Sequence, residues 1–439
     1  MARVSRPEIH AWALYDFAYT IWSMNVLSVY FQLYVIKDLK APDLAYSATL
    51  SGAMAVVALL APLLGAWSDR QGRRIPHLAF WTAISVAATA LIGRFAGAGP
   101  ALALFFLATV GNQLGQVFYN AKLPEIAAPE AIGRISGYGI ALGFVGSISG
   151  MLAVLPFVTG HLFSLRLPLA AEGNVGSFLP TAILFGLFSL PAFFVIKETG
   201  PGGSPGGSAA RPVRAGWREI WKDLVSGRYP GVGRYLLANL LFFDAVNTVI
   251  GFMSSYCVQV EGFDARKGEV QVMLMMATVW AVVGAWIWGL ASDRLSPKRA
   301  LTLCLWLWVV VLLAAIGIRD RTAFFWIVGP LAGFAMGGTG VTARPLMAEL
   351  VPAERQGEFF GLWSLFGRFA AIVGPLVWGV ITTGLVSWGT VRYPVALGAE
   401  LAFLVAGLWV LQGVPDPHLA RARIPQRETP DGRLEQNQL

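Results

Sequence analysis

The chemistry of this 439-residue chain rests on few groups, because 13% of it is charged and 56% is hydrophobic. Four ionisable side chains fall inside long apolar runs: Asp16, Asp244, Arg368 and Glu400. A charge placed in hydrocarbon is expensive, so such a residue faces a cavity or a partner. At a helical rise of about 1.5 Å per residue, Asp244 and Arg368 each lie about 15 Å inside their runs, so a pair between them is geometrically feasible. Glu400 competes for the same arginine at a depth about 5 Å different. Either aspartate could switch protonation if its surroundings alternate between water and protein. Around these charges, Asn112, Gln113, Gln116 and Asn120 recur at three- and four-residue spacing and form one polar stripe on a helix. Such a stripe suits hydrogen bonding to a polar solute, and equally serves as glue between helices. Tyr19, Asn25, Gln32, Asn239 and Asn247 complete the candidate polar wall. Trp22, Tyr30 and Tyr34 suit packing or anchoring at the membrane interface.

Other chemistries find no support. The four histidines, His10, His77, His161 and His418, stand at run ends, loops or the tail without metal-ligand spacing. Cys257 and Cys304 lie in apolar runs with no partner spacing and suit small buried hydrophobes. There is no glycine loop with Lys-Ser/Thr to cradle a nucleotide phosphate. No cofactor, metal centre or enzymatic site is expected. The net charge of +8 could suggest nucleic acid, but the cations sit between apolar runs rather than on a soluble basic surface. The partners expected are a lipid bilayer, a small-molecule substrate and a coupling proton, with no nucleic acid, for a chain acting as a monomer.

The elements that must position these groups are apolar runs at about 11–36, 46–67, 77–95, 101–122, 134–158 and 177–196, then 234–258, 268–290, 299–318, 323–345, 358–383 and 393–411. Mean hydropathy is +0.61. Segments of this length satisfy their backbone in lipid only as helices, so the fold expected is an all-α integral membrane protein of about 12 transmembrane helices. The first run is long and aromatic, contains Asp16 and lacks a small-residue cleavage site, so it reads as a retained span. Domain organisation follows: residues 1–196 a first six-helix bundle, 197–233 a linker, 234–411 a second bundle and 412–439 a tail. The linker is Gly- and Pro-rich from Lys197. It continues into a basic segment where Trp217, Ile220, Trp221 and Leu224 have the spacing of a surface-lying amphipathic helix, or of a partly ordered linker. With a cytoplasmic N-terminus, that side holds about 23 of the cations and the other about nine, so both termini are expected in the cytoplasm.

The halves repeat each other. Gly65-Ala-Trp-Ser-Asp69-Arg70-Gln-Gly72-Arg73-Arg74 returns, degraded, as Gly289-Leu-Ala-Ser-Asp293-Arg294-Leu-Ser-Pro-Lys298-Arg299. Tyr15-Asp16-Phe-Ala-Tyr-Thr20 returns as Phe243-Asp244-Ala-Val-Asn-Thr248, and the Lys122-Leu-Pro-Glu125 close of run four as Arg344-Pro-Leu-Met-Ala-Glu349 at the close of run ten. Glycines crowd run five (Gly137, Gly139, Gly143, Gly146, Gly150) and run eleven (Gly361, Gly367, Gly374), which favours tight crossings and suggests that the halves rock on these two helices. Pro156 and Pro375 are placed to kink or stop the same helices.

Two six-span halves joined by a long linker resemble the major facilitator superfamily, and the Gly-Asp-basic stretches resemble its loop motif. A narrower resemblance is carried by Trp12-Ala-Leu-Tyr15-Asp16-Phe-Ala, Tyr119-Asn120-Ala-Lys-Leu-Pro124-Glu125 and Gly137-Tyr-Gly-Ile-Ala-Leu-Gly143 in the first half. Arg344-Pro-Leu-Met-Ala-Glu349-Leu-Val-Pro352, Gly357-Glu358-Phe-Phe-Gly361 and Gly374-Pro375 carry it in the second. These resemble the vacuole-effluxer-like, autophagy-related branch, in a bacterial-type member. The resemblance implies two pseudo-symmetric bundles and a secondary transporter working by alternating access in a bacterial cytoplasmic membrane. More weakly, it implies efflux of amino acids or other small polar solutes. It places runs one, four, seven and ten around a central cavity, which favours Asp16 and Asp244 over Glu400 as functional residues. Gly65, Asp69, Arg70 and Arg73, with Gly289, Asp293, Arg294 and Arg299, would then be gate hardware, the glycines allowing close helix approach. The gate would close the cytoplasmic face between runs two and eleven and between eight and five. The sequence departs from the branch at Ala18-Tyr19-Thr20, where Ala-Asn-Ser is usual, and at Arg368, where lysine is common. A polytopic enzyme acting on lipid and a non-transporting sensor remain the alternative functions.

Overall fold

Hydrocarbon offers no partner to a backbone N–H or C=O, and the chain answers with helices throughout its apolar runs. The computed structural model describes residues 6–127, 132–162, 165–166, 173–198, 229, 231–351 and 356–416. α1 runs over 6–38, opening as Arg6–Trp22 and widening into π turns at Ser23–Tyr30 and Tyr34–Asp38. α2 is Asp43–Gln71, α3 Ile75–Leu91, α4 Ala98–Ile126, α5 Ile132–Thr159 and α6 Phe178–Val195. α7 is Val232–Gln259, α8 Glu269–Leu295, α9 Pro297–Gly317, α10 Arg321–Leu350, α11 the two pieces Gln356–Phe369 and Val373–Gly384, and α12 Arg392–Gln412. Besides helix there is a two-stranded ladder pairing His161–Leu162 with Leu165–Arg166 beyond α5. Among the described residues ten helices are long and apolar enough to cross a membrane; α3 falls just short, and α1 is interrupted by its π turns. Most of the linker, the segment around Trp217 and Trp221, and the tail from residue 417 lie outside the described residues.

Alternating helix direction puts the start of α1 and the end of α12 on one face, here the terminal face. The α1–α2, α7–α8 and α11–α12 connections lie on the opposite, distal face. The contacts between the two halves gather at the distal face. Asp43 at the start of α2 meets Arg392 at the start of α12 (3.8 Å), and Asp38 meets Arg266 (3.9 Å). Leu44 N donates to Thr383 Oγ1 (3.1 Å), and Ser254 Oγ donates to Gln32 Oε1 (3.2 Å). Tyr46 stacks edge-on against Phe252 with ring centres 5.4 Å apart. At the terminal face Arg344 Nη1 reaches Ser136 Oγ (3.3 Å) in an exposed contact.

The glycines of α5 pack on α1 inside their own half, while the α5 and α11 helices also contact α8 and α2 of the other half. A Cβ at Gly150 would press on Ile21 (2.9 Å) and one at Gly146 would strike the Phe17 carbonyl, so α5 lies backbone-close on α1 of its own half. Gly333 and Gly337 of α10 lie equally close to the Ala277 and Ala281 carbonyls of α8. A pair that must stay together can use such backbone contact, whereas a surface that slides cannot. Gly379, which meets Ser47 of α2 (2.6 Å), is a cross-half exception at the distal seal.

Each half also closes on itself at the terminal face. Glu198, just after α6, accepts from the N–H groups of Arg74 (2.9 Å) and Ile75 (2.6 Å) at the start of α3. Its other oxygen faces the buried Lys122 (3.3 Å), which with Arg74 also grips Glu125 (2.6 and 2.5 Å). In the second half Asp416, just after α12, accepts from Ser296 Oγ (2.9 Å) at the start of α9 and faces Arg299 (4.0 Å).

Two outcomes follow. Asp43→Asn weakens the distal seal by about 1–2 kcal/mol, raising the distally open population roughly five- to thirtyfold. Distances between spin labels at the exposed Lys40 and Trp388, one in each half, check this. Glu198→Ala leaves two N–H groups and part of the charge on buried Lys122 unanswered and costs about 1–3 kcal/mol. Thermal unfolding of the detergent-purified protein measures it, with a control at exposed Gly137, where a Cβ meets open space.

Candidate substrate cleft

α1 presents one row of residues to the glycines of α5. Asp16 and Thr20 bracket Gly143, where a Cβ would lie 3.0 Å from Asp16 Oδ2 and 3.1 Å from Thr20 Cγ2. Thr20 Oγ1 donates to Gly143 O at 2.7 Å. The second half repeats this joint: Asp244 and Thr248 of α7 bracket Gly374 of α11, where a Cβ would lie 3.0 Å from Asp244 Oδ2 and collide with Thr248 Oγ1. The repeat differs in one respect. α5 is continuous, whereas α11 breaks at residues 370–372, with tight turns from Ala371 N to Arg368 O and from Ile372 N to Phe369 O (both 3.1 Å). Pro375, which has no N–H, follows the break closely. The break frees the N–H of Gly374, and it donates to Asp244 Oδ1 at 2.8 Å. Asp244 therefore caps the positive end of the second piece of α11.

Above the first joint is a polar patch. Gln116 lies beside both Asp16 and Tyr19, and Gln113 Nε2 donates to Tyr19 Oη at 3.3 Å. Arg368 faces Tyr19 from the other half. Asp16, Tyr19, Gln113, Gln116 and Arg368 are all half-buried, so they pack against protein and still reach open space. Among the described residues no carboxylate forms an ion pair with Arg368. The pairing considered from depth is therefore not made by either acid. Asp244 is engaged by Gly374 beyond the break, and Glu400 is buried beside Asp244. Depth along a helix could be read from sequence; rotation about its axis and the break after Arg368 could not.

The remaining candidates separate. Asn112 is fully buried and neither its amide oxygen nor its nitrogen has a protein partner. Asn120 is exposed near the end of α4, so the stripe divides between interior, cleft and surface. Asn247 is exposed one turn from Ile250, which lines a Met-rich pocket of about 50 Å³ between the halves together with Met24 and Met253. Asn239 accepts from Trp363 Nε1 (2.9 Å), and Asn25 Nδ2 donates to Ile21 O (3.0 Å) as α1 widens into its first π turn.

In the gate motifs, no atom lies within 4 Å of a Cβ at Gly65, and Gly289 meets only Val341 of its own half, at 3.6 Å. The close approach expected at these glycines is absent in this conformation, because the halves meet at the opposite face. Arg73, Asp293, Arg294 and Arg299 are exposed, while the side chains of Asp69 and Arg70 lie outside the description. Arg74, not singled out from sequence, makes the motif's buried contacts, to Glu125 and the Ala121 carbonyl. Glu349 is half-buried near the end of α10. Outside the spans, burial pushes the Glu261 carboxyl above its usual value, opposed by Arg319; it sits in the α7–α8 connection, away from the cleft. Among the described residues no three His, Cys, Asp or Glu side chains are grouped to hold a metal.

The fold and sequence can be set beside known proteins. A variant of the nucleoside transporter NupG superposes over 93% of this chain and 99% of its own, with TM-score 0.74 and 11% identity. A bacterial homologue of the human lysosomal transporter Spinster, in an inward-facing and unoccupied conformation, superposes over 93% and 96%, with TM-score 0.70 and 16% identity. At these identities the likeness is one of fold, the major facilitator arrangement of two six-helix bundles. In sequence, the uncharacterized MFS-type transporter YxiO of Bacillus subtilis is 26% identical over 436 residues, covering 95% of this chain and 96% of its own. Autophagy-related protein 22-1 of Neosartorya fischeri is 27% identical over 308 residues, 64% of this chain and 48% of that protein. The profile described as Vacuole effluxer Atg22 like matches residues 44–415. The chain is an integral membrane transporter of the major facilitator type and belongs to the vacuole effluxer Atg22-like family.

Proposed function

We propose that this transporter exports a small zwitterionic solute, amino acids being the nearest chemical class, by proton-coupled alternating access across a bacterial cytoplasmic membrane. The observation that carries this reading is Arg368, a cation from the second half set over the polar patch of the first, with no ion-paired carboxylate among the described residues. A solute carboxylate would supply that missing anion, with the geometry that suits a guanidinium. Asp16 would take an ammonium group, and Tyr19, Gln113 and Gln116 would hydrogen-bond what lies between. Such a solute touches both halves, so its binding energy can act on their relative position.

Cation placement supports a cytoplasmic terminal face. On that assignment the described conformation is sealed outside and open inside. Gly65, Asp69, Arg70 and Arg73 with α11, and Gly289, Asp293, Arg294 and Arg299 with α5, would form the opposite seal when the distal one parts. Glu125, Arg344 and Glu349 belong to the same face and would support that closure. The outward direction rests on the family's description, and the carrier is read as a monomer.

The test is flux in proteoliposomes across a panel of amino acids, dipeptides and nucleosides, with and without a pH gradient. Arg368→Gln lowers flux of the accepted solute about 10- to 100-fold, the worth of a charge-assisted hydrogen bond of about 1.5–3 kcal/mol, and Arg368→Lys restores part of it. Asp244→Asn moves the pH optimum of flux; unchanged flux and an unchanged pH optimum would remove Asp244 from the coupling. Absence of flux for every solute, beside measurable lipid turnover, would overturn the carrier reading.

A further inference from the structure

Glu400 is fully buried in α12, and neither of its carboxylate oxygens has a protein partner. α12 packs on α7, α9, the second piece of α11 and the short helix Val386–Val391. The last two carry no titratable side chain. On α9, Lys298 and Arg299 stand at the terminal end, and Cys304 turns to Ala335 and Thr339 of α10. On α7, Arg234 and Tyr235 stand at the terminal end, Tyr256 is bonded to Ala315 O, and Cys257 meets Met273. On α12 itself, Arg392 is committed to Asp43 and Tyr393. The charge that faces Glu400 is therefore another carboxylate, Asp244, itself 3% exposed.

Two carboxylates in a dry site without a cation cannot both be ionised at acceptable cost. The Gly374 N–H and the helix end behind it favour the anion on Asp244, which leaves the proton to Glu400. Asp244 also holds the piece of α11 that supplies the second half's share of the distal seal. There Ser51 Oγ of α2 donates to Ile372 O (2.8 Å), Ser47 packs on Gly379 and Leu44 N donates to Thr383.

We propose that Asp244 and Glu400 form a proton site, in which one proton carried on Glu400 is bound in the distally sealed conformation and released on leaving it. Loss of the proton leaves two anions sharing one N–H donor, and their repulsion loosens α11 at its break. More protons are bound in the sealed state than in the open one, so the seal strengthens as pH falls and weakens as pH rises. The use of this proton rests on the carrier reading above; its presence does not.

The experiment is a pH series on the full chain in nanodiscs, reading the distance between labels at Lys40 and Trp388. The wild-type sealed population is expected to fall as pH rises, Glu400→Gln to stay sealed at every pH, and Asp244→Asn, which removes the repelling anion, to move the midpoint to higher pH. Glu400→Gln with the wild-type pH response, or Asp244→Asn with an unmoved midpoint, would overturn the proposal. Infrared spectra give a second reading: a D2O-sensitive carboxylic-acid C=O band present in wild type and absent in Glu400→Gln supports it, and a band that survives the substitution refutes it. Neither readout uses a transported solute, so the proton site stands or falls independently of cargo and driving force.

Discussion

Lipid tails are as apolar as leucine, so the hydrophobic effect does little to hold one spanning helix to another. What remains is close contact, and its closest form is backbone on backbone. The molecule uses that form where two helices keep a fixed relation: Gly146 on the Phe17 carbonyl of α1, and Gly333 and Gly337 on the Ala277 and Ala281 carbonyls of α8. The seam between the halves is made mostly of another material, hydroxyls, an amide, ion pairs near 4 Å and aromatic edges at the distal face. Such contacts can be exchanged for water one at a time. Close-packed helix pairs within each half and a polar seam between the halves are two consequences of one constraint.

The aspartate joint occurs in both halves but in two different settings. In the first half the helix beneath Asp16 is unbroken, so the carboxylate has no backbone donor there and stays beside Gln116 and Tyr19, half-buried. In the second half the break in α11 supplies a donor, and Asp244 is drawn into the protein. A few residues of irregular backbone thus separate a half-buried carboxylate beside a polar patch from one held by a helix end.

Much of this was legible in the residues. Twelve runs, their pairing into halves and their helical nature follow from length and hydropathy. Asp16, Asp244, Arg368 and Glu400 announced themselves by the cost of placing charge in lipid. Partners were less legible. Glycine spacing says that a helix is approached closely but not by which neighbour, and α5 proved to face α1. Arg368 and Asp244 share a depth yet point to different surroundings, because the turn at 370–372 depends on packing that a single sequence does not display. The acids after α6 and α12 were overlooked although a weak signal existed: Lys197-Glu198 and Pro415-Asp416 each place an acid within two residues of the last apolar side chain.

The length of α1 gives this close packing a mechanical meaning. Residues 6–38 form one rod about 50 Å long, bound to α5 along much of its inner course. Turned by about ten degrees about its middle, such a rod carries its two ends about 4 Å in opposite directions, somewhat more than the width of a water molecule. Leverage of that kind lets a change of an ångström or less at mid-membrane, where the cleft and the broken helix lie, admit solvent at one surface while expelling it from the other.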